Sequence, residues 1–570
     1  MAKAGKAVYF FQLARLIWCF PLVALPAWSL GPTFSHDIAP IVLKNCAPCH
    51  RPGEPGPFPL LNYADVKKHA GQIAAVTQSR YMPPWLPEQG YGDFVDERRL
   101  TAGQIEAIQA WVKNDAPEGD PAAVPPLPPF TEGWQLGPPD LIVKAPRALS
   151  VPASGPDVFW NFILSPDIKA RRYVRAMEIR PGNPRLLHHA NIIIDRARSQ
   201  RSREATPGAG FPGMDLTLDR SVFDLDGHFL FWKPGSTPYA EPDGFAWILD
   251  PGNDLVLNTH IQPTGRVERE QPVVGLYFTD QRPTHFPLLI QLEHDGLLDI
   301  PAGDRDFKVS DDFRLPLDVD VLAVYPHAHY LGKLLEAYAT LPDGTRKWLI
   351  RIPDWNLNWQ ATFYYREPLF LPKGTVISMR YHYDNSRANP RNPNRPPKLV
   401  SAGNRANDEM GHLWLQLLPR GPGDRRRELA EAWARHQVEK YPRDFSANLA
   451  LGSIALSRLD AAGAASALGV AVRARPSDPV AHNLFGAALQ TLGRAREATE
   501  QFEIAVREKG DYMNARYNLA HALFKAGRMD EAIQNLQAVV NAYPNDEAAK
   551  QYLSQAVAAR AKSGAAGTDR

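Results

Sequence analysis

Residues 325–332 read YPHAHYLG, and the spacing of the two histidines in it decides how the middle of this chain is read. His327 and His329 are one residue apart in a run of short apolar and aromatic residues. Alternate residues of a strand project to one face. Two imidazoles at that spacing therefore make either a polar strand face or half of a metal site. The surroundings favour a strand. RYVRAMEI, ANIIID, DLVLNTHI, PVVGLYF, ATFYYREPLF and TVISMRYHYD are β-rich runs separated by Pro-Gly, Pro-Asp-Gly and Pro-Lys-Gly turns. They fill residues 134–418, a length large for one β-sandwich and comfortable for two, 134–275 and 276–418.

Other histidines recur at these runs. LLHHANIII holds His188 and His189, NTHIQPTG holds His260, and DEMGHLW holds Met410 and His412. Adjacent residues of a regular strand face opposite ways. His188 and His189 can serve one ion only if the strand ends, twists or bulges there, and the PGNP turn just upstream suits that. Imidazole suits zinc, copper, iron and nickel, whereas a thioether is a poor zinc ligand and a good copper one. Residues 134–418 contain no cysteine. Histidine with methionine points to copper, with zinc or iron at the same histidines as the alternative. His382 and His412 are further candidates, and His228, His285 and His294 read as solvent or loop histidines.

The order His-His, lone His, His-x-His, Met resembles the copper type II, ascorbate-dependent monooxygenases, the family of peptidylglycine α-hydroxylating monooxygenase and dopamine β-monooxygenase. The resemblance implies two jelly-roll-like sandwiches with one copper in each. It implies that His188, His189 and His260 form an electron-transfer copper site. His327, His329 and Met410 would form the catalytic site where dioxygen is activated, the two sites facing each other across a solvent-filled cleft. The animal enzymes are rich in disulfides, which this region lacks, and their substrate-binding residues have no match here.

Before this region, residues 46–50 read CAPCH. This spacing lets two thiols, Cys46 and Cys49, add to haem vinyl groups while His50 reaches the iron. FSHDIAPIVLKN before it and LTAGQIEAIQAWVKNDAP at 100–117 have helical spacing, and RYMPPW supplies Met82. Together they resemble a small class I c-type cytochrome over residues 30–120. His50 would be the proximal ligand and Met82 the distal one, the alternative being a core methionine. A proline-rich linker follows at 121–133.

Residues 1–29 carry Lys3, Lys6 and Arg15 and no acid ahead of the apolar LIWCFPLVALPAW, a signal-peptide pattern that predicts a periplasmic or secreted protein. An uncleaved membrane anchor is the alternative. Without that segment the chain has 61 basic and 62 acidic residues, so charge gives no case for nucleic acid.

After a short linker at 419–427, residues 428–560 show a 34-residue period. Gly452, Gly486 and Ala520 align, as do Ala464, Ala498 and Ala532, and Leu468, Phe502 and Leu536. This resembles the tetratricopeptide repeat, a helical solenoid whose concave face binds a peptide or protein.

The fold expected is thus multidomain: a small all-α cytochrome c, two all-β copper sandwiches and an α-α solenoid. The function expected is an exported copper-dependent monooxygenase acting on an unknown small-molecule or peptide substrate with O2. Its electrons would come from an external donor through the fused haem c. The alternative is a non-enzymatic copper-binding or electron-transfer protein docked to a partner through its repeats.

Overall fold

The computed structural model describes residues 1, 31–130, 133–196, 198–213, 227–405 and 407–567. The signal-peptide pattern at 1–29, Met1 apart, lies outside the described residues. No helix among the described residues is long and apolar enough to cross a membrane.

Residues 31–130 are helical. A π-helical turn, Phe34–Ile38, runs into helix Ala39–Asn45, and helices Tyr63–Lys68, Ala70–Gln78 and Ala102–Lys113 follow. The last begins on a reciprocal cap between Thr101 and Gln104, which satisfies backbone donors at its start. It buries Ile105, Ile108 and Trp111 on one face, against Phe34, Ile38 and Val42. The proline-rich segment after it is not a free tether. Val124 and Phe130 pack back onto this helical core, and the Arg51 guanidinium sits 4.7 Å above the Phe130 ring.

Two β-rich halves follow, built of antiparallel sheets. In the first, a four-stranded sheet has the order Leu141–Lys144, Val273–Thr279, Arg172–Arg180, Trp247–Leu249. A five-stranded sheet has the order Phe211–Pro212, Val158–Leu164, Asp254–Ile261, Leu187–Asp195, Phe231–Trp232. Val143, Val174 and Val274 of one sheet and Phe162, Ile192 and Leu257 of the other share a core. The first half therefore extends to Thr279, past a division at 275.

The second half has two four-stranded sheets. One runs Leu288–Glu293, Gly411–Pro419, Val319–Ala328, Phe363–Leu371, the other Phe307–Arg314, Val376–Tyr383, Gly332–Thr340, Arg346–Ile352. They share a core containing Val321, Leu415, Ala337 and Met379. Phe94, from the helical region, is 2% exposed in that same core. The Arg366 guanidinium donates to Phe94 O, and Arg351 pairs with Glu88. The helical region is thus stapled to the second half.

The C-terminal region is all-α, with helices Arg426–Lys440, Phe445–Ser457, Ala461–Ala474, Pro479–Thr491, Ala495–Glu508, Met513–Lys525, Met529–Ala542 and Glu547–Gly567. Small residues at the repeat positions have a packing reason. A Cβ on Gly452 would lie 2.4 Å from Leu468, and one on Gly486 would lie 2.6 Å from Phe502. Helix Arg426–Lys440 is bolted to the second half. Lys440 Nζ lies 2.6 Å from Asp311 Oδ2 and His436 Nε2 lies 2.7 Å from Asp311 Oδ1, while Trp433 Nε1 donates to Gln291 O.

Candidate metal centre and its surroundings

The fully buried strand Asp254–Ile261 presents His260, and its neighbour Leu187–Asp195 presents His188 and His189. His189 pairs directly with His260, and Leu187 pairs with Ile261. His188 is the extra residue between those pairs. It forms a β-bulge, which lets two sequential side chains turn to the same side. His188 Nδ1 lies 3.2 Å from His189 Nδ1 and 3.2 Å from His260 Nδ1. The three donor atoms lie within 4.8 Å of one another, and among the described residues no other set of three histidine, cysteine, aspartate or glutamate donors does so. This half-buried to buried trio can hold a metal ion.

Electrostatics prepares the trio. His260 Nε2 is 2.6 Å from Asp157 Oδ2, so Nε2–H donates to the carboxylate, which fixes the tautomer that leaves the Nδ1 lone pair for the centre. That hydrogen bond holds the Asp157 carboxyl below its usual range against the opposing effect of burial. Burial, then His260 beside it, pulls His188 down to about 4, and the same causes hold His189 well below 6.5. The rings of His188 and His189 are neutral at pH 7, the form that ligates.

The second histidine pair lies on and just past strand Val319–Ala328. The rings of His327 and His329 have centroids 5.3 Å apart and stand nearly perpendicular. His327 Nδ1 donates to Gln360 Oε1 at 2.8 Å, and His329 Nδ1 donates to Asp408 O at 3.0 Å. Both rings therefore keep Nε2 as the free donor atom. Burial holds His327 well below 6.5, with His329 adding to it, and burial lowers His329 as well. Met410 stands at the edge of this sheet: His327 pairs with His412 and Ala328 with Gly411, and Met410 immediately precedes Gly411 in the chain. No histidine, cysteine, aspartate or glutamate among the described residues closes a set of three with His327 and His329.

Two residues not signalled by any sequence pattern organise this region. Gln360, 1% exposed, accepts from His327 and from Tyr325 Oη (2.7 Å), and its amide nitrogen lies 3.2 Å from His189 Nδ1. One side chain thus touches a histidine of each cluster, where the family resemblance implied a solvent-filled cleft between them. Glu409, fully buried, accepts from the backbone N–H of His329, Leu331 (2.8 Å) and Met410 (2.8 Å). Burial pushes its carboxyl up to about 8, and these N–H donors oppose that shift. Glu409 precedes Met410 in DEMGH, which was its only visible mark; Gln360 had none.

The remaining histidines are engaged elsewhere. His412 is 2.8 Å from Asp295, and His382 is 2.6 Å from Asp306. His285 stacks on Phe245, and His294 reaches Ser310 O. His228 is not a solvent histidine: it is 8% exposed and bonds Glu241 at 2.6 Å.

In the helical region, Cys46 and Cys49 are free thiols on a tight turn, with His50 N donating to Cys46 O. Burial pushes the Cys46 thiol up to about 12 and raises Cys49 too. His50 Nδ1 lies 3.1 Å from Phe58 O, leaving Nε2 free. Met82 is half-buried just past helix Ala70–Gln78, its N–H donating to Val76 O. A cleft of about 650 Å³ is walled by Pro55, Pro57 and Tyr81 on this side and by His188, Asn358 and Trp359 on the other.

Among known proteins, the tetratricopeptide repeat family matches residues 489–556. Small glutamine-rich tetratricopeptide repeat-containing protein 2 of Mycosarcoma maydis is 31% identical over 103 residues, 18% of this chain. The match spans 29% of that relative's length. The solved MamA structure aligns with 24% of this chain and 74% of its own at 18% identity, with a TM-score of 0.23. The first such domain of human RPAP3 aligns with 20% of this chain and 87% of its own at 22% identity, with a TM-score of 0.19. The C-terminal region of this chain carries tetratricopeptide repeats, which are protein- and peptide-binding scaffolds.

Proposed function

We propose that this chain is an exported copper-dependent monooxygenase that hydroxylates a substrate C–H bond with dioxygen and draws electrons from a c-type haem in its own helical region. One observation carries the reading: three Nδ1 atoms of His188, His189 and His260 converge because the strand bulges at His188. A bulge that turns two neighbouring imidazoles onto a third is a feature with no packing benefit of its own. The donor chemistry agrees. The first set is all imidazole; the second adds a thioether to His327 and His329, a combination suited to copper rather than zinc. In this reading the two halves are jelly-roll-like sandwiches with one copper each, and residues 30–120 are a class I cytochrome c with His50 and Met82 as axial ligands.

Copper bound at these residues supplies one-electron redox chemistry and activation of dioxygen. The chain's own part is positional. Asp157 fixes the tautomer of His260, Gln360 that of His327, and the Asp408 carbonyl that of His329. Glu409 holds the backbone of His329 and Met410 together, so two ligands distant in sequence keep one spacing. The cleft that puts Pro55, Pro57 and Tyr81 of the helical region across from His188 supports that region as the donor side. The repeats, locked to the second half, offer a protein partner a fixed approach.

Metal analysis of the purified protein tests this first: two copper and one haem iron per chain are expected, and zinc at the histidines overturns it. Reduced haem is then mixed with oxygen. Reoxidation faster than in copper-free protein, and lost in Met410→Ile, is expected. Reoxidation equal to the copper-free control leaves the chain an electron-transfer protein docked through its repeats.

A further inference from the structure

A single 3₁₀ turn, Leu357–Trp359, sets Trp359 immediately before Gln360, beside the cleft that the helical region shares with both β halves. The Tyr81 ring of the helical region meets the Trp359 ring edge-on, with centroids 5.2 Å apart. Tyr81 directly precedes Met82, the distal haem ligand of the proposed reading. A second contact arrives from the CAPCH turn. Cys49 Sγ abuts the backbone at Gly235, where φ is +75° and a Cβ would lie 2.8 Å from the sulfur. Two residues before that glycine, Lys233 Nζ donates to the Trp359 carbonyl at 3.2 Å. Beyond Trp359 the next side chain is Gln360, whose Nε2 lies 3.2 Å from His189 Nδ1. Trp359 thus joins both contacts from the helical region to the side chain that touches the three-histidine cluster.

We propose that Trp359 is the gateway through which an electron passes from the haem to the three-histidine centre, with the Tyr81 ring as its contact on the haem side. The proposal rests on the haem and copper reading above and names the residues that carry its electron transfer. The step moves one electron: ferrous haem becomes ferric, Cu(II) at His188, His189 and His260 becomes Cu(I), and no proton or bond moves with it. The external one-electron donor then reduces the haem again. Tunnelling falls off exponentially with separation, and it falls fastest across gaps that no covalent bond spans. The route from Met82 crosses two such gaps. It follows the chain to Tyr81, passes from ring to ring onto Trp359, follows the chain to Gln360, and passes from amide to imidazole at His189. The edge-on pair puts a π-system on each side of the first gap. Tyr81 and Trp359 both line the cleft, so a short aliphatic side chain at 359 would give that gap over to water.

Full-length protein carrying haem and Cu(II) tests this in oxygen-free buffer. A photochemical reductant places one electron on the haem, and the haem absorbance reports its departure to copper, with copper-free protein as the control. Trp359→Leu is expected to slow that departure by at least an order of magnitude, and Trp359→Phe, which keeps a ring in place, to restore most of it. Tyr81→Leu is expected to slow it as well; Tyr81 is 42% exposed, so this variant spares the core and decides the matter should Trp359→Leu fold poorly. The haem reduction potential and the copper EPR spectrum are expected to keep their wild-type form in all three variants. A rate that either Leu variant leaves unchanged overturns the gateway alone. So does a slowed rate accompanied by a shifted potential or EPR spectrum, which places the effect at the metal sites. A wild-type chain without haem, or whose haem loses its electron no faster with copper than without, overturns the gateway together with the reading it rests on.

Discussion

The two histidine clusters use opposite faces of the same ring. At His188, His189 and His260 the inner atoms, Nδ1, converge, and the carboxylate of Asp157 holds His260 by its outer nitrogen. At His327 and His329 the inner atoms are spent on Gln360 and on the Asp408 carbonyl, so Nε2 reaches outward. The first cluster is compact and made by a bulge within one sheet. The second has two histidines on one strand end, and only on the proposed reading would Met410, next to the Gly411 that pairs with Ala328, complete it. On the proposed function, the first cluster would keep a fixed ligand set through a redox change and the second would leave room for a reactant.

The comparison can be broken most sharply at a ligand. His260→Ala is expected to remove one metal per chain and leave the other, because His327 and His329 share no ligand with it; loss of both in metal analysis would make the clusters a single site. Glu409→Ala comes next. It leaves several buried N–H groups without an acceptor, each worth about 1–3 kcal/mol, so a loss of about 3–5 kcal/mol is expected in denaturant unfolding of the β region. Metal should be lost from the second site alone. Gln360→Leu is milder at each site but acts on both. Removing a residue that orients a ligand costs about 10–100-fold in metal affinity, and competitive titration should show this at the His327 site, with a smaller change at the His189 site.

The smallest effect is on pH. His188 has a folded pKa near 4 against 6.5 when unfolded. The folded state therefore binds fewer protons between those values. The stability this group contributes is present above pH 6.5 and is lost as pH falls toward 4. In metal-free protein the unfolding midpoint should decline over that window, and His188→Leu should flatten the decline.

Much of this was legible in the sequence where periodicity was local. The i, i+2 spacing of His327 and His329, the 34-residue period with its small residues, and the alternating runs all fix near neighbours. The need for a distortion at His188 was legible too, because two adjacent side chains cannot share a strand face. What was hidden was long-range and singular. Gln360 lies in NWQATF, a loop without pattern, and acquires meaning only when Tyr325, His327 and His189 surround it. Phe94 lies in a segment that reads as part of the helical region, yet its ring is buried in the second β half. The stretch 121–130 has the composition of a tether and packs as a wall. Composition reports local stiffness; it does not report which surface a stiff segment lies against.

Phe94 has a mechanical consequence. The helical region is anchored in the second half through Phe94 and pressed on the first half where Cys49 meets Gly235. It therefore spans the two halves as a clasp. Lobes held shut by a third body do not swing as a hinge, so their histidine clusters keep one spacing.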